Sequence, residues 1–390
     1  MGAPWFESVA EAERRARRHL PASVYRALVA GSQRGLTLAD NRRAFDEIGL
    51  VPRIIDVPAS QDLGRTLMGT PSSLPVVLSP VGVQAVHPDG EVAVARAAAQ
   101  RGLVMGLSSF ASQPVEDVVA AGAPVWFQVY WSGSRADLAA RIDRARRAGV
   151  AGLVLTLDWS FDVGRDWGSP FIPERLDARA LARLAPGVLA RPRWLWSFVR
   201  AGGPPTLSVP NMARPGEAAP PFFTAYREWQ ETPPPTREDL AWLRATYPGP
   251  LLVKGVYRVE DAQVLADLGV TAVSVSNHGG NNLDGTPSPL RALGEVVAAV
   301  GDRVEVYLDG GVRRGSDVAK ALALGAHGVL VGRAYLFGLA AAGTAGVANV
   351  IDLLASGLRA TLRGLGHATL DELGPGDLRV PPGFGGGDHP

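Results

Sequence analysis

The stretch SNHGGNNLDG, residues 276–285, carries the strongest chemical signal in the sequence. It directly follows an apolar run, so His278 stands at the carboxyl end of a predicted strand, between Asn277 and two glycines. A structural histidine more often lies on an apolar face or caps a helix, so this polar position favours a catalytic role. A neutral imidazole there can accept a proton from a substrate. Asp284 could orient the imidazole or simply bind the glycine loop.

Two further strand ends combine glycine with arginine, in LDGGVRRGSD (308–317) and LVGR (330–333). Free backbone N–H groups beside guanidinium groups bind anions, and barrels that hold a phosphate commonly do so after strands 7 and 8. These loops therefore predict a phosphate site, whereas the alternative is a pair of surface turns with solvated arginines. The residues concerned are Asp309, Gly310, Gly311, Val312, Arg313, Gly332 and Arg333.

Lys254 lies inside the apolar run LLVKGV, where an unpaired ammonium group is costly. It could form a Schiff base or place a fixed positive charge beside a cofactor, and the structural alternative is an ion pair. Polar side chains also end three other predicted strands, namely Ser108, Gln128 and Thr156. Polar groups that converge from several strands fit a large, planar, polar cofactor better than a single small substrate.

The elements that must position these residues alternate along the chain. Helical, alanine- and arginine-rich stretches that end at glycine separate most of the apolar runs. With a helical segment at the N-terminus, this alternation predicts an α/β fold, a (β/α)8 TIM barrel, and a doubly wound open sheet is the alternative. Eight runs read as strands covered on both faces: 74–80, 102–109, 124–130, 151–158, 250–256, 271–277, 304–311 and 328–333.

A long insertion, residues 159–245, separates the fourth and fifth predicted strands. Six of the nine tryptophans fall in it and eleven of the 31 prolines fall in 186–235, a composition unlike that of a flexible linker. Because this connection opens on the catalytic face of a barrel, we expect a lid or substrate wall, with a subunit contact as the alternative. Near its end, Thr236 predicts a helix start. We expect one domain over residues 1–375 and a flexible tail over 376–390.

Composition and charge restrict the function classes. The net charge is +1, from 39 basic and 38 acidic side chains, which provides no overall surplus for binding nucleic acid or an anionic membrane. The absence of cysteine excludes disulfides, thiol catalysis and cysteine-ligated metals, and no metal site is predicted. No secretory signal or membrane-spanning run is apparent, so we expect a cytoplasmic protein that acts on a small molecule.

Taken together, SNHGG, LDGGVRRGSDV, LVKGV and VGR resemble the FMN-dependent α-hydroxy-acid dehydrogenases and oxidases. The resemblance covers nearly the whole chain, from LPASVY to VGRAYLFGLA. Several motifs in the same order are far more specific than any one of them. The resemblance implies FMN at the carboxyl-terminal mouth of the barrel and a homo-oligomer, commonly a tetramer.

The resemblance also implies roles for individual residues. His278 would take a proton as two electrons pass to FMN, and Lys254 would stabilise negative charge on the reduced ring. Tyr130 would lie beside the cofactor and face the substrate. The peptide groups of Pro80, Val81 and Gly82 would lie along the flavin, Ser108, Gln128, Thr156 and Ser276 would hydrogen-bond it, and the glycine- and arginine-rich loops Asp309–Arg313 and Gly332–Arg333 would hold the ribityl chain and phosphate.

Three positions depart from the family pattern for carboxylate substrates. Asn281 stands where these enzymes carry an arginine, Ala27 stands where they carry a tyrosine, and Arg165 is at best a shifted counterpart of a second arginine. Losing an arginine fork removes a charge-assisted bidentate contact, whereas an amide suits a neutral group. We also expect an aromatic pocket wall from Trp131, Trp159 and Trp167.

These departures resemble one branch of the family, which acts on an amino-lactam derived from a Val–Tyr peptide. The resemblance implies oxidative deamination to an α-keto amide, with O2 as electron acceptor and hydrogen peroxide as product. The principal alternative is an (S)-2-hydroxy-acid dehydrogenase or oxidase of the L-lactate type. A flavoprotein that binds without turnover and a flavin-dependent isomerase are further alternatives.

Overall fold

The computed structural model describes residues 6–29, 31–82, 85–158, 164–205 and 207–385, and it confirms the predicted barrel. Every barrel strand pairs in parallel with the next one along the chain, and the eighth pairs with the first, so the sheet is closed. This closure excludes the open doubly wound sheet. Strands β1–β8 are Val76–Leu78, Val104–Ser108, Val125–Tyr130, Gly152–Thr156, Leu251–Val256, Ala272–Val275, Glu305–Asp309 and Gly328–Val331.

Helices precede the barrel and follow each of its strands. Three N-terminal helices, α1–α3, are Val9–His19, Ala22–Val29 and Leu36–Glu47, as the helical N-terminal segment predicts. The helices that follow β1–β3 are α4–α6, Gly90–Arg101, Val115–Ala120 and Arg135–Ala148. The insertion contributes α7–α9, Ala178–Leu189, Pro192–Arg200 and Phe222–Glu231. The last helices, α10–α14, are Arg237–Thr246, Val259–Asp267, Pro289–Val300, Gly315–Ala323 and Arg333–Leu365.

The barrel interior is filled by one fully buried side chain from each strand, which makes it a packed core and not a pore. Trp126 and Tyr307 meet edge to face there, with ring centroids 5.9 Å apart. A short hairpin, Arg65–Leu67 with Thr70–Ser72, adds Leu67 and Met68 to the same cluster. The eight strand residues are Val77, Val104, Trp126, Val154, Leu252, Ala272, Tyr307 and Leu330.

The insertion is folded against the barrel. Met212 and Trp229 are buried in a cluster with Phe110, which follows β2. Thr236 caps α10 as predicted, because its hydroxyl accepts from the backbone N–H of Asp239 while the Asp239 carboxylate accepts from Thr236. A packed insertion of this kind can form a fixed wall.

The C-terminal residues correct one prediction. Leu378–Arg379 pairs in antiparallel fashion with Gly49–Leu50, and Phe384 is buried, with the Arg291 guanidinium 4.7 Å above its ring. The tail prediction is therefore wrong for residues 376–385, because a distant strand supplies backbone partners that the glycine-rich sequence does not reveal. Residues 386–390 lie outside the described residues.

Among the described residues, one helix is long and apolar enough to cross a membrane, namely Arg333–Leu365. Its most apolar window is 78% buried within the protein, and it packs against α1, α4 and α13. It is therefore a core helix of the barrel shell, interrupted by non-helical backbone at Ala342 and Gly343.

Candidate active site

A cavity of about 1050 Å³ opens at the carboxyl-terminal end of the barrel. Small-molecule sites commonly measure about 300–1,000 Å³, so this one has room for a cofactor together with a substrate. The structure brings together all but one of the predicted site residues around it: Ala27, Pro80, Val81, Gly82, Ser108, Gln128, Tyr130, Thr156, Arg165, Lys254, His278, Asn281, Asp309, Gly310, Gly311, Val312, Arg313, Gly332 and Arg333.

Ser276 is the exception. It does not line the cavity, and its hydroxyl accepts hydrogen bonds from the Lys254 ammonium at 2.8 Å and from the His278 backbone N–H at 3.1 Å. The predicted contact between Ser276 and the flavin stays a prediction. Its hydroxyl also fixes two residues that do reach the cavity.

His278 lies at the cavity with one ring nitrogen engaged. Its Nδ1 is 3.0 Å from Oδ2 of Asp158, and its side chain is about a quarter exposed. When Nδ1 carries the proton toward the carboxylate, Nε2 keeps a lone pair and can accept a proton. This is the arrangement of a general base oriented by a carboxylate.

Asp158 was missed as the orienting group. Asp284, which was considered for this role, does not orient the imidazole. Its carboxylate accepts hydrogen bonds from the backbone N–H groups of Arg34 and Thr37. Asp158 is the last residue of the predicted strand AGLVLTLD, and a carboxylate at that strand end was the signal that could have identified it. Burial works to raise the pKa of Asp158, but the charges of His278 and Lys254 outweigh it and lower the pKa below its ordinary value. Asp158 therefore stays ionised.

Lys254 is buried between two carboxylates. Its Nζ lies 2.8 Å from Oδ2 of Asp309 and 3.9 Å from Oδ2 of Asp158. Burial works to lower the pKa of Lys254, but the two aspartates outweigh it and raise the pKa. The side chain is therefore a fixed ammonium at the cavity and not a free amine, which argues against the Schiff-base alternative.

The loop that carries His278 has an unusual backbone. His278, Gly279 and Gly280 all have positive φ, at 56°, 65° and 83°. A non-glycine residue in this region is strained unless its surroundings hold it there. Gly279 also allows close approach of Arg333, since a Cβ at Gly279 would stand 2.5 Å from the guanidinium.

The N-terminal segment holds this loop in place. Asn41 and Asn277 exchange two side-chain amide hydrogen bonds, of 2.9 and 2.8 Å, and the Ser32 hydroxyl donates to the carbonyl of Asn282 at 2.6 Å. Asp40 accepts from the Ser288 backbone at 2.8 Å and from the Arg291 guanidinium at 2.9 Å. We call these contacts between residues 31–41 and 277–291 the loop clamp.

Replacing Asp40 with asparagine is expected to lower the free energy of unfolding by about 1.5–3 kcal/mol at neutral pH, because it removes a charge-assisted network. Burial works to raise the pKa of Asp40, but hydrogen bonds from Arg291, Ser288 and Arg43 lower it from 3.8 to about 2. Urea unfolding across a pH series measures the difference between the two proteins.

Because the folded pKa of Asp40 is depressed, its stabilisation is fully present above the unfolded value of 3.8 and is lost as the pH falls toward about 2. The difference should be constant from about pH 7 to about pH 5 and shrink only below that range. Asp143→Asn, at an exposed helix pair with Arg147, is the control and should change little. A difference that grows on acidification would contradict the assignment.

Two half-buried arginines, Arg313 and Arg333, lie at the cavity where the anion cradle is predicted. In the described chain, the side-chain hydrogen bonds of Arg313 and Arg333 go to carbonyl oxygens, of Val312, Val29 and Gly279. Burial lowers the pKa of Arg313 to about 10, and burial together with the charge of Arg313 lowers the pKa of Arg333 to about 9. Two positive groups held together in this way favour a bound dianion.

The remaining polar atoms fit FMN. Gln128 Nε2, Asp309 Oδ1 and Arg313 Nε are buried without a hydrogen-bond partner among the described residues, and such groups are normally satisfied. FMN brings carbonyl acceptors on its ring, hydroxyl groups on its ribityl chain and a phosphate. Gln128 would bind the ring, Asp309 the chain, and the two arginines the phosphate. Glycine is required at position 311, where a Cβ would meet the Asn41 carbonyl oxygen at 1.8 Å.

The aromatic wall of the cavity differs from the prediction. Trp131 is buried against Trp242, and Trp167 packs near Gly31 and Gly35, so neither lines the cavity, whereas Trp159 lies outside the described residues. Their sequence proximity to β3 and β4 did not reveal which way the side chains turn. The insertion supplies the wall instead, with Phe171, Trp194, Phe198, Phe222, Phe223, Tyr226 and Trp229. This supports the substrate-wall interpretation of the insertion.

The three departing positions all border the cavity. The Asn281 side-chain oxygen accepts from the Gly31 backbone N–H at 2.6 Å, which leaves the amide NH2 as its donor. Ala27 occupies little space, and the Arg165 guanidinium donates to the Arg26 carbonyl at 3.0 Å. Tyr130 stands against Trp229, with ring centroids 4.3 Å apart. Large aromatic surfaces and few charges thus surround the substrate side of the cavity.

Comparisons with known proteins agree with this site. A family profile described as FMN-dependent dehydrogenase matches residues 16–380. The chain is 59% identical over 384 residues to a pre-mycofactocin synthase of Mycobacterium tuberculosis, and the alignment covers 98% of this chain and 97% of that protein. It is 37% identical over 370 residues to an L-lactate oxidase of Nostoc sp., covering 93% and 95% of the two chains.

Among solved structures, the chain is similar to one described as the monotopic membrane protein (S)-mandelate dehydrogenase. The TM-score is 0.86 at 31% sequence identity, over 96% of this chain and 100% of the other. Identity at this level and nearly complete coverage agree with the same barrel fold.

Proposed function

The chain belongs to the FMN-dependent dehydrogenase family and is an FMN-dependent oxidoreductase, and we propose that it performs the pre-mycofactocin synthase reaction of mycofactocin biosynthesis. The substrate is a small amino-lactam derived from a Val–Tyr peptide, and the product is the corresponding α-keto amide. The electron acceptor is O2, which becomes hydrogen peroxide. A homo-oligomer of tetramer type and a cytoplasmic location stay predictions.

One observation carries the choice of substrate: Asn281 and Ala27 border the cavity beside His278. A lactam offers a neutral carbonyl and N–H to the Asn281 amide, whereas a carboxylate would need a cation there. The space left by Ala27 and the aromatic wall around Tyr226 fit a substrate that carries a phenol ring. The 59% identity to a protein of that name supports the same assignment.

FMN, when bound, supplies the two-electron acceptor for the reaction. His278 Nε2 takes a proton from the substrate amine or ammonium group as the carbon–hydrogen bond next to it is broken. Asp158 holds the imidazole by Nδ1 and stabilises its positive charge. Lys254 keeps a fixed positive charge at the cofactor side of the cavity.

The overall reaction balances in two stages. Removal of two electrons and two protons from the amine gives an imine, and addition of water to that imine releases ammonia and leaves the ketone of the α-keto amide. The two electrons and two protons finally reduce O2 to hydrogen peroxide. The apolar wall limits water around the reacting carbon.

Anaerobic bleaching of the flavin absorbance tests the proposal. The purified holoenzyme is mixed in parallel with the amino-lactam and with L-lactate, and we expect bleaching by the lactam alone. Ammonia and the keto amide should appear in equal amounts with the flavin reduced. Bleaching by L-lactate alone would replace this proposal with the hydroxy-acid alternative, which Arg165 at the cavity favours.

Replacing Asn281 with arginine and Ala27 with tyrosine is expected to raise kcat/KM for L-lactate by at least about tenfold, because the pair restores a charge-assisted carboxylate contact. Steady-state oxygen uptake measures the change. The matched control is Asn281→Gln with Ala27→Tyr, which keeps a neutral amide at the same place in the cavity lining and should show no such gain. If the double variant binds L-lactate no better than the wild type, Asn281 does not face the substrate.

A further inference from the structure

We propose that the outer face of the α7–α8 hairpin docks on the surface of an anionic lipid bilayer. The outer hairpin face is defined by four large apolar side chains on two helices that contact each other. Each of these side chains is more than half exposed: Leu181 by 51%, Leu189 by 68%, Trp196 by 56% and Val199 by 52%. Four large apolar side chains exposed on one pair of contacting helices indicate an interaction surface.

The inner faces of the same helices already have a function. Leu184, Val188 and Phe198 point to the cavity and line it. Leu181, Leu189 and Val199 border the cavity while staying more than half exposed, so they form its rim, and Trp196 does not border it at all. The cavity explains the inner apolar residues, but it does not cover the exposed halves of these four side chains, which a second apolar environment would bury.

The hairpin carries a local excess of positive charge, although the net charge of the whole chain is only +1. Residues 178–200 contain five arginines and no acidic residue, and Glu174 and Asp177 precede them. Arg179, Arg183, Arg193 and Arg200 are exposed on α7 and α8, with the Arg200 guanidinium 5.3 Å above the Trp196 ring. Tryptophan and leucine beside arginine on short amphipathic helices are typical of segments that lie in the lipid interface.

A second copy of the chain fits this face less well. Symmetric dimers bring the same patch of two subunits together, so the exposed arginines of one hairpin would meet those of the other. Like charges in that position cost binding energy unless acidic partners separate them. An anionic lipid surface provides both the apolar layer and the counter-charge.

Vesicle flotation with the holoenzyme tests the proposal. The vesicles contain either phosphatidylcholine alone or equal parts phosphatidylcholine and phosphatidylglycerol. We expect binding to the anionic vesicles, much weaker binding to the neutral ones, and release by salt. Arg193→Glu with Arg200→Glu should lower the partition coefficient by roughly tenfold or more, and Trp196→Ser should lower it by roughly tenfold.

Two control variants make the same kinds of substitution, of charge and of an apolar side chain, outside the hairpin. Arg17→Glu with Arg363→Glu changes exposed arginines on α1 and α14, and Ile54→Ser changes a side chain that is 89% exposed in a loop. Both should bind vesicles like the wild type, with flavin content and melting temperature confirming that all variants fold. The proposal is overturned if the wild type does not bind anionic vesicles, or if the controls lose as much binding as the hairpin variants. It is also overturned if Trp196→Ser leaves vesicle binding unchanged and only lowers the oligomer mass in light scattering, which would make the face a contact between copies.

Discussion

Replacing His278 with alanine is expected to lower kcat by roughly 10²–10⁴-fold while the protein keeps its FMN. The imidazole is the one base at the cavity among the described residues that a carboxylate orients through its second ring nitrogen. The cradle of Arg313 and Arg333 is untouched by the change, so cofactor binding should persist. Stopped-flow reduction of the flavin by the amino-lactam measures the loss, and the absorbance ratio of flavin to protein measures retention.

The control for this change is His327→Ala, which removes an imidazole whose Nε2 lies 2.8 Å from the carbonyl oxygen of Thr66, outside the cavity lining. Its flavin reduction rate should match the wild type. The flavin reduction rate of Asp158→Asn should lie between those of His278→Ala and His327→Ala, because His278 remains but loses its charged partner. A fully active His278→Ala enzyme would remove the imidazole from the mechanism.

Replacing Lys254 with methionine is expected to lower the free energy of unfolding by about 3–5 kcal/mol at neutral pH, the usual cost of breaking a buried ion pair. The variant leaves Asp158 and Asp309 buried without the ammonium that now lies 2.8 Å from Asp309. Chemical denaturation of the variant and the wild type measures this cost. Lys320→Met is the matched control, because the only other lysine of the chain donates to the Phe45 carbonyl and is partly exposed.

The pH dependence of the Lys254 effect has a defined sign. The folded pKa of Lys254 is raised, so its stabilisation is present below the unfolded value of 10.5 and is lost as the pH rises beyond it. The folded pKa of Asp158 is lowered, so its contribution is present above 3.8 and is lost on acidification. The cost of Lys254→Met should therefore be largest between these values and should decrease as acid protonates Asp158. A cost that is independent of pH would show that packing, and not charge, explains the loss.

The barrel could be predicted because its strands are apolar on both faces and its helices end at glycine. The same reasoning located Lys254, since a charge inside an apolar strand demands a partner, and His278, since a polar residue between glycines at a strand end has little structural use. Asp158 was harder to assign, because a single carboxylate at a strand end acquires its meaning only when the barrel brings it to His278, 120 positions away.

Side-chain direction and local charge were the parts that the sequence did not reveal. Trp131 follows β3 directly, yet it turns to Trp242 and away from the cavity. Phe384, within a glycine-rich stretch, is buried because Arg291 covers its ring. The net charge of +1 likewise suggested no anionic surface, although α7 and α8 carry a local excess of arginine. Each of these depends on three-dimensional neighbours that a linear pattern leaves open.

The loop clamp ties the completion of the active site to the order in which the chain is synthesised. Its hydrogen bonds join residues as far apart as 236 to 251 positions, such as Asn41 with Asn277 and Asp40 with Arg291. When helix α3 leaves the ribosome, its partners do not yet exist, and six barrel strands must be made before Asn277 appears. Contacts of such long range form late in folding, since the entropy of closing the loop is lost before they are gained. His278 thus receives its strained backbone only in a nearly complete barrel, and truncated or partly folded chains lack a complete site for flavin reduction.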